Sequence, residues 1–126
     1  MFESKRAFSG FSVDDLQEAK KFYGRTLELD VSEHPQGLEL RLSNDKRVFI
    51  YPKTNHKPAT FTVLNFPVDD IGETIDELQR RGVRLEHYDE SSIKTDEKGV
   101  FHGPGANIAW FKDPAGNILS VLEEST

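Results

Sequence analysis

Residues 109–123 read AWFKDPAGNILSVLE, and this stretch decides the fold. The aromatic and aliphatic residues at its two ends predict two strands, because such side chains suit a pleated, half-buried surface. The centre predicts a tight turn. Pro114 presets φ, Gly116 accepts a positive φ, and the side chains of Asp113 and Asn117 bond to nearby backbone. A hairpin this late in the chain has to complete a sheet that earlier residues begin.

The composition is typical of a soluble globular protein. The chain has 126 residues, of which 36% are hydrophobic and 30% are charged, enough for a single domain over residues 1–126 with its own core. The net charge of −6 argues against a general nucleic-acid surface and against an anionic membrane surface as partner. The sequence has no cysteine, which excludes disulfides, thiolate nucleophiles and cysteine-based zinc sites.

No apolar run approaches the length of a membrane span, and the first residues lack the apolar core of a signal peptide. By the absence of these signals, we expect a cytoplasmic location.

The first half of the chain predicts the order strand, helix, strand, strand, strand. Asp15 is suited to cap a helix, and Glu18 three residues later completes a capping box. Apolar residues then recur at helical spacing. The predicted helix covers residues 16–26, and the predicted strands cover residues 5–13, 30–34, 37–42 and 48–51.

The second half repeats this order after a polar connector at residues 53–59. Asp70, with Glu73 three residues on, repeats the capping pattern of Asp15 at an offset of 55 residues. The predicted helix runs from residue 71 to about 81, and the predicted strands cover 61–68, 83–87, 108–111 and 118–122, with a polar loop at 88–105. We therefore expect two related modules, residues 5–52 and 60–124.

The doubled order of elements resembles the vicinal oxygen chelate superfamily, which includes glyoxalase, extradiol dioxygenases and bleomycin- and fosfomycin-resistance proteins. The resemblance covers nearly the whole chain and rests on the Phe22-Tyr23 pair, the Val68-Asp69-Asp70 helix start and the turn at 113–117. It implies an α+β fold of two βαβββ modules, whose curved mixed sheets pair into a cup with the helices outside. It also implies a ligand in the cup and a homodimer.

The resemblance places the family's metal ligands at four strand positions. In this chain these positions fall on Phe8, Val63, Ser120 and a residue near Ile50, where a shift of one residue gives Phe49 or Tyr51. Divalent metals of this class prefer imidazole nitrogen and carboxylate oxygen. These four positions offer neither, so we predict no metal and no other cofactor, with a divalent metal as the alternative.

Strand alternation predicts which side chains face the cup: mostly apolar groups with a few polar ones, as in many small-molecule pockets. Arg41 can pair with a carboxylate or phosphate, Asn65 offers both a donor and an acceptor, and Trp110 offers a flat apolar wall. In the alternative interpretation, Arg41 pairs with Glu39 on an exposed strand face, and the apolar residues fill a core. The predicted cup residues are Phe8, Gly10, Ser12, Glu39, Arg41, Ile50, Val63, Asn65, Ile108, Trp110 and Ser120, of which Phe8, Arg41, Val63, Asn65, Trp110 and Ser120 are the predicted ligand-binding residues.

Two residues are candidate catalytic groups. His102 lies in the predicted loop at 89–105, from which an imidazole over the cup mouth can act as acid or base. Glu39 is a predicted cup carboxylate. A solvated loop histidine is the alternative for His102.

Three functions follow. The first is metal-free binding of a small, partly aromatic or acidic molecule. The second is a metal-dependent lyase or dioxygenase with a shifted ligand set that uses His102, Glu39 or Glu123. The third is a metal-independent lyase or isomerase with His102 or Glu39 as base. The sequence alone leaves open whether the protein is an enzyme.

Overall fold

The computed structural model describes residues 1–125. The chain divides into two compact units, Met1–Pro58 and Ala59–Thr126. Each unit contains one mixed four-stranded sheet and one α-helix, in the order strand, helix and three strands. The predicted α+β fold with two βαβββ modules is therefore confirmed.

The first unit has the strand order β1-β4-β3-β2, in which β1 and β4 run parallel and the other pairs run antiparallel. The first strand is shorter than predicted, because Ser4–Arg6 forms a 3-10 turn and not the start of a strand. The elements are β1 Ser9–Val13, α1 Leu16–Lys21, a π-helical turn Phe22–Thr26, β2 Asp30–His34, β3 Gly37–Arg41 and β4 Arg47–Pro52.

One face of the first sheet is buried against α1. The Asp15 side chain accepts a hydrogen bond of 3.1 Å from the Glu18 backbone N–H, which starts the helix as its capping pattern predicts. The helical segment then buries Ala19 and Tyr23, and the centroid of the Tyr23 ring lies 6.1 Å from that of Phe11 on β1. The opposite, open face of this sheet carries the polar and aromatic residues.

The second unit has the strand order β5-β8-β7-β6, again with one parallel pair, β5 and β8. Asp70 caps α2 by accepting a hydrogen bond of 3.0 Å from the Glu73 backbone N–H, so the repeat of the capping pattern is confirmed. The elements are β5 Thr62–Pro67, α2 Ile71–Arg80, β6 Val100–Gly103, β7 Ala106–Lys112 and β8 Ile118–Glu124.

The edge of the second sheet differs from the prediction. The predicted strand at 83–87 is wrong: Leu85 forms only an isolated bridge with Phe111, and the Glu86 N–H donates to the Trp110 carbonyl at 2.8 Å. The predicted loop at 88–105 is also wrong in part, because it contains β6, which pairs with the first half of β7. Two separate segments thus share the edge that β2 alone forms in the first unit.

The turn between β7 and β8 has the predicted chemistry. Asp113 Oδ1 accepts hydrogen bonds of 2.9 Å from the backbone N–H groups of Ala115 and Asn117, and its Oδ2 accepts one of 3.0 Å from Asn117 Nδ2. Gly116 has a φ of +85°, as the turn requires. Asp113 and Asn117 are both buried, so their side-chain hydrogen bonds stabilise the turn on its buried side.

None of the helices in residues 1–125 is both long enough and apolar enough to cross a bilayer.

Candidate functional site

Strand register decides which residues lie on the open face of the first sheet. Directly paired residues of neighbouring strands share a face. Phe49 is paired with Gly10 and Glu39, whereas Ile50 is paired with Phe11 and Leu38 on the helix face and is 0% exposed. The prediction that Ile50 faces a ligand is therefore wrong by one residue, and the open face carries Phe49.

Glu39 is at the centre of an ion-pair cluster on this open face. Its Oε1 accepts a hydrogen bond of 3.0 Å from Arg41 Nε, and its Oε2 accepts one of 3.5 Å from Arg47 Nη1. His34 Nε2 lies 3.9 Å from the same Oε2. The Glu39 side chain is only 14% exposed, while those of Arg41 and Arg47 are 59% and 43% exposed. The pairing of Arg41 with Glu39, predicted as the alternative, is thus present in the structure.

An aromatic wall stands beside this cluster. Arg47 Cζ lies 4.5 Å from the centroid of the Phe8 ring, a cation–π contact, and the rings of Phe8 and Phe49 meet edge to face at 6.5 Å. Together with His34, Glu39 and Val48, these residues line an open pocket of about 200 Å³. The pocket of the first unit therefore combines two phenylalanines with Arg47, and Arg41 adjoins it through Glu39.

The open face of the second sheet brings together three of the predicted ligand-binding residues. Ser120 is paired with Asn65 on one side and with Trp110 on the other, so the three side chains share a face. The Ser120 hydroxyl donates a hydrogen bond of 2.5 Å to Asn65 Oδ1. Ser120 is buried and Asn65 is exposed, so the amide nitrogen of Asn65 is the more accessible of the two polar groups.

Trp110 is held by three neighbours on the same unit. Its Nε1 donates a hydrogen bond of 3.1 Å to Thr62 Oγ1, and its ring lies 5.4 Å from that of Tyr88 and 6.1 Å from that of Phe101, between centroids. Trp110 is consequently only 9% exposed. Burial raises the pKa of the Tyr88 hydroxyl, with smaller contributions from the negative charges of Glu86 and Glu90.

A β-bulge changes the position of Val63. The pairing of β5 with β8 shifts between Thr62 and Leu64, which makes Val63 the extra residue. Thr62, which bonds to Trp110, takes the place on the open face that strict alternation assigns to Val63.

His102 does not lie in a loop or on the open face, so the prediction of an imidazole over the cup mouth is wrong, whereas its side chain is 64% exposed, as the solvated alternative predicts. It is in β6 and is paired with Asn107, on the face that also carries Ala109 and Phe111, opposite to that of Trp110. Its Nε2 lies 2.9 Å from Asp96 Oδ2, and its Nδ1 lies 3.1 Å from Asn107 Oδ1. The hydrogen bond to Asp96 is the main reason that the pKa of His102 is raised.

Glu123 also lies on the helix face of the second sheet. Its Oε1 accepts a hydrogen bond of 2.9 Å from the Ile71 N–H, at the first residue of α2. The carboxylate therefore complements the positive end of the helix. This structural role accounts for a carboxylate at position 123, so no role in ligand binding is needed to explain it.

The residues at the positions implied for the family's metal do not fit a divalent ion. With the corrected register they are Phe8, Phe49, Thr62 or Val63, and Ser120, whose hydroxyl is bonded to Asn65. Among residues 1–125, no three histidine, aspartate or glutamate side chains are grouped so that they can hold a metal.

The sequence missed several residues of these two faces. Arg47 was missed because β4 begins one residue earlier than predicted, and Phe49 was predicted only as the alternative to Ile50 because β4 is apolar on both faces, which hides its register. His34 precedes a proline, and no sequence pattern distinguishes it from an ordinary surface residue. Tyr88 and Phe101 appeared to be loop residues, although an aromatic residue inside the polar segment 88–105 was an available signal.

Solved structures with the same fold support this architecture. A glyoxalase family protein from Enterococcus faecalis has a TM-score of 0.70 and 22% identity, over 98% of this chain and 100% of that chain. TnmS3, an antibiotic binding protein from Streptomyces sp. CB03234, has a TM-score of 0.67 and 22% identity over the same shares. The fosfomycin resistance protein FosX from Listeria monocytogenes has a TM-score of 0.67 and 13% identity, over 99% of this chain and 96% of that chain.

No curated protein sequence matches the chain. The model of one family does, over residues 8–121, which include both α-helices and every strand except the end of β8. The chain therefore belongs to the Glyoxalase/Bleomycin resistance protein/Dioxygenase superfamily.

Proposed function

We propose that this protein binds a small, partly aromatic or acidic organic molecule, and that it does so without a metal ion. The observation that carries the proposal is the make-up of the two open sheet faces. Each combines aromatic side chains with a few polar groups, and within residues 1–125 neither face groups three or more of the imidazole and carboxylate side chains that a metal needs. The six predicted binding residues belong to this proposal, with Thr62 beside Val63.

The relatives support a small organic ligand. TnmS3 is an antibiotic binding protein and FosX is a fosfomycin resistance protein. Their identities of 22% and 13% establish a common fold, so they indicate which class of compound to test and not which compound binds.

Trp110 is the reporter for the test, because it is the one tryptophan in the sequence. A library of small aromatic and acidic metabolites and antibiotics is titrated while the emission of Trp110 is recorded. We expect at least one saturable response, weakened in Asn65→Leu and unchanged in Asn55→Ala, which removes an amide from the connector. A library without any saturable response contradicts the proposal.

Metal independence has its own test. Elemental analysis of protein purified without a chelating tag is expected to show no stoichiometric divalent ion, and ligand binding is expected to survive dialysis against EDTA. Binding that disappears with EDTA and returns with one metal would establish the metal-dependent lyase or dioxygenase instead. The positions of His102 and Glu123 on a helix face argue against their use in such a site.

A metal-independent lyase or isomerase with Glu39 as base is the second candidate. It is favoured by the low exposure of this carboxylate beside Phe8 and Phe49. A compound that binds and is also converted is the starting point for its test. Glu39→Gln is expected to abolish turnover and to retain binding if Glu39 is the base, and retained turnover rejects that role.

We further propose a cytoplasmic homodimer, as the superfamily resemblance implies. Light scattering is expected to give twice the chain mass of 14.3 kDa, and a monomer mass at micromolar concentration contradicts it.

A further inference from the structure

The two arginines of the first sheet are arranged as a pair. Arg41 of β3 and Arg47 of β4 are direct cross-strand partners, so their side chains leave the sheet from the same place on its open face. Both are more than 40% exposed. Two like charges in this arrangement repel each other, so an anion between them is favourable.

Glu39 compensates only part of the positive charge of Arg41 and Arg47. It gives one oxygen to each arginine, through Arg41 Nε and Arg47 Nη1. Asp30 is the register partner of Arg41 on the other side, but in the described chain it forms no ion pair with either arginine. Most of the guanidinium N–H groups therefore remain available, and a guanidinium presents them in a planar fork that matches a carboxylate.

The apolar part of the pocket lies directly beside the donors of Arg47, and Arg41 adjoins the pocket through its hydrogen bond to Glu39. Arg47 is stacked on the ring of Phe8 at 4.5 Å, and Phe49 meets Phe8 edge to face. Gly10, the register partner of Phe49, has no side chain to cover that ring. The pocket of about 200 Å³ is small for a ligand site, so the part of a ligand that it holds is expected to be a single ring with a short substituent.

We infer that Arg41 and Arg47, held in place by Glu39, form an oxyanion subsite beside Phe8 and Phe49, and that the ligand is a monocyclic aromatic carboxylate or a similar planar ring oxyanion. This inference rests on the proposed function and names the ligand class for it. Arg47 is the specificity-determining residue, because its guanidinium contacts the ring of Phe8 and also donates a hydrogen bond to Glu39.

Benzoate, benzamide and acetate are the probes that test this inference. Benzamide keeps the planar ring but lacks the charge, and acetate keeps the charge but lacks the ring. Binding is followed by NMR through the Nε–Hε signals of the arginines, which report locally on each guanidinium. We expect benzoate to shift the Arg41 and Arg47 signals saturably and to bind about tenfold more tightly than benzamide or acetate, as expected for charge-assisted hydrogen bonds and ring burial together.

The variants separate the contribution of each arginine. Arg41→Gln and Arg47→Gln are expected to lower benzoate affinity to that of benzamide. Arg47→Lys keeps the charge and loses the planar fork, so its affinity is expected to fall between these values. Arg25→Gln removes the same charge from the π-helical turn and is the matched control, with benzoate affinity unchanged. All three positions are exposed, so the four variants are expected to fold.

Equal affinity of the wild type for benzoate and benzamide overturns the inference, as does benzoate binding to Arg47→Gln with the affinity of the wild type. Absence of benzoate binding in the wild type also overturns it. In each of these cases, a library compound that still changes Trp110 emission leaves the proposed function standing. Absence of any such compound together with absence of benzoate binding is the separate result that rejects the function itself.

Discussion

The hydroxyl of Ser120 donates a hydrogen bond of 2.5 Å to Oδ1 of Asn65, which joins the parallel strands β8 and β5 at directly paired positions. Ser120 is fully buried, so its hydroxyl depends on this bond. We expect Ser120→Ala to lower the free energy of unfolding by about 1 kcal/mol. Urea denaturation measures the change, with Ser9→Ala on an exposed position of β1 as the control. A cost no larger than that of the control contradicts the prediction.

The indole of Trp110 is shielded by Tyr88, whose ring lies 5.4 Å away. We expect Tyr88→Ala to shift the Trp110 emission to longer wavelength and to increase its quenching by acrylamide, because removal of the ring admits water. Tyr51→Ala, which removes an exposed ring from the other unit, is the control and is expected to leave the emission unchanged. Equal quenching in the wild type and Tyr88→Ala would show that other residues shield the indole.

Asp96 and His102 are expected to titrate away from their ordinary pKa values in opposite directions. The pKa of Asp96 is lowered, first by the Val100 N–H and then by the His102 side chain, whereas the pKa of His102 is raised mainly by Asp96. NMR titration of the His102 ring is expected to give a value above 6.5 that falls toward 6.5 in Asp96→Asn. Asp89→Asn removes the same charge from the same segment and is expected to change nothing.

The pKa shifts of His102 and Asp96 determine how the stability of the fold changes with pH. The raised pKa of His102 stabilises the fold below pH 6.5, and this contribution is lost as the pH rises through the folded value. The lowered pKa of Asp96 stabilises the fold above pH 3.8, and this contribution is lost as the pH falls through the folded value. We expect their joint contribution to be largest between pH 3.8 and 6.5. A stability difference between wild type and Asp96→Asn that grows above pH 8 would contradict this assignment.

The carboxylate of Glu123 accepts a hydrogen bond of 2.9 Å from the Ile71 N–H at the start of α2. We expect Glu123→Ala to lower the free energy of unfolding by about 1 kcal/mol, because an N-terminal N–H loses its acceptor and the helix dipole loses a complementary charge. Glu123→Gln keeps an acceptor and is expected to cost less. Thermal unfolding of these variants beside Glu124→Ala, an exposed neighbour, measures the difference.

Local sequence signals predicted the elements whose causes are themselves local. The caps at Asp15 and Asp70 and the turn after Asp113 each depend on side chains that bond to backbone a few residues away. The strand at Asp30–His34 was also predicted with its observed bounds. In each case, the residues that determine the structure are close together in the sequence.

Long-range pairing decided the features that were predicted wrongly. In β4, aromatic and aliphatic residues alternate without a difference in polarity, so nothing local distinguishes the face of Phe49 from that of Ile50. In β5, the bulge at Val63 depends on the pairing with β8. Four residues of β6 become a strand only because β7 offers them an edge, which is why His102 was predicted to lie in a loop.

The edge of the second sheet is formed by two separate segments, the one at Leu85 and β6, and this allows such a module to change in evolution. An edge strand has a neighbour on one side only, so extra chain can leave and rejoin it without disturbing the order of the inner strands. The entropic cost of a longer excursion grows slowly, by about 0.6 kcal/mol for each doubling of its length. The residues between Leu85 and Val100, which include Tyr88, are therefore a place where insertions and deletions can remodel the surroundings of Trp110 while the rest of the sheet is inherited intact.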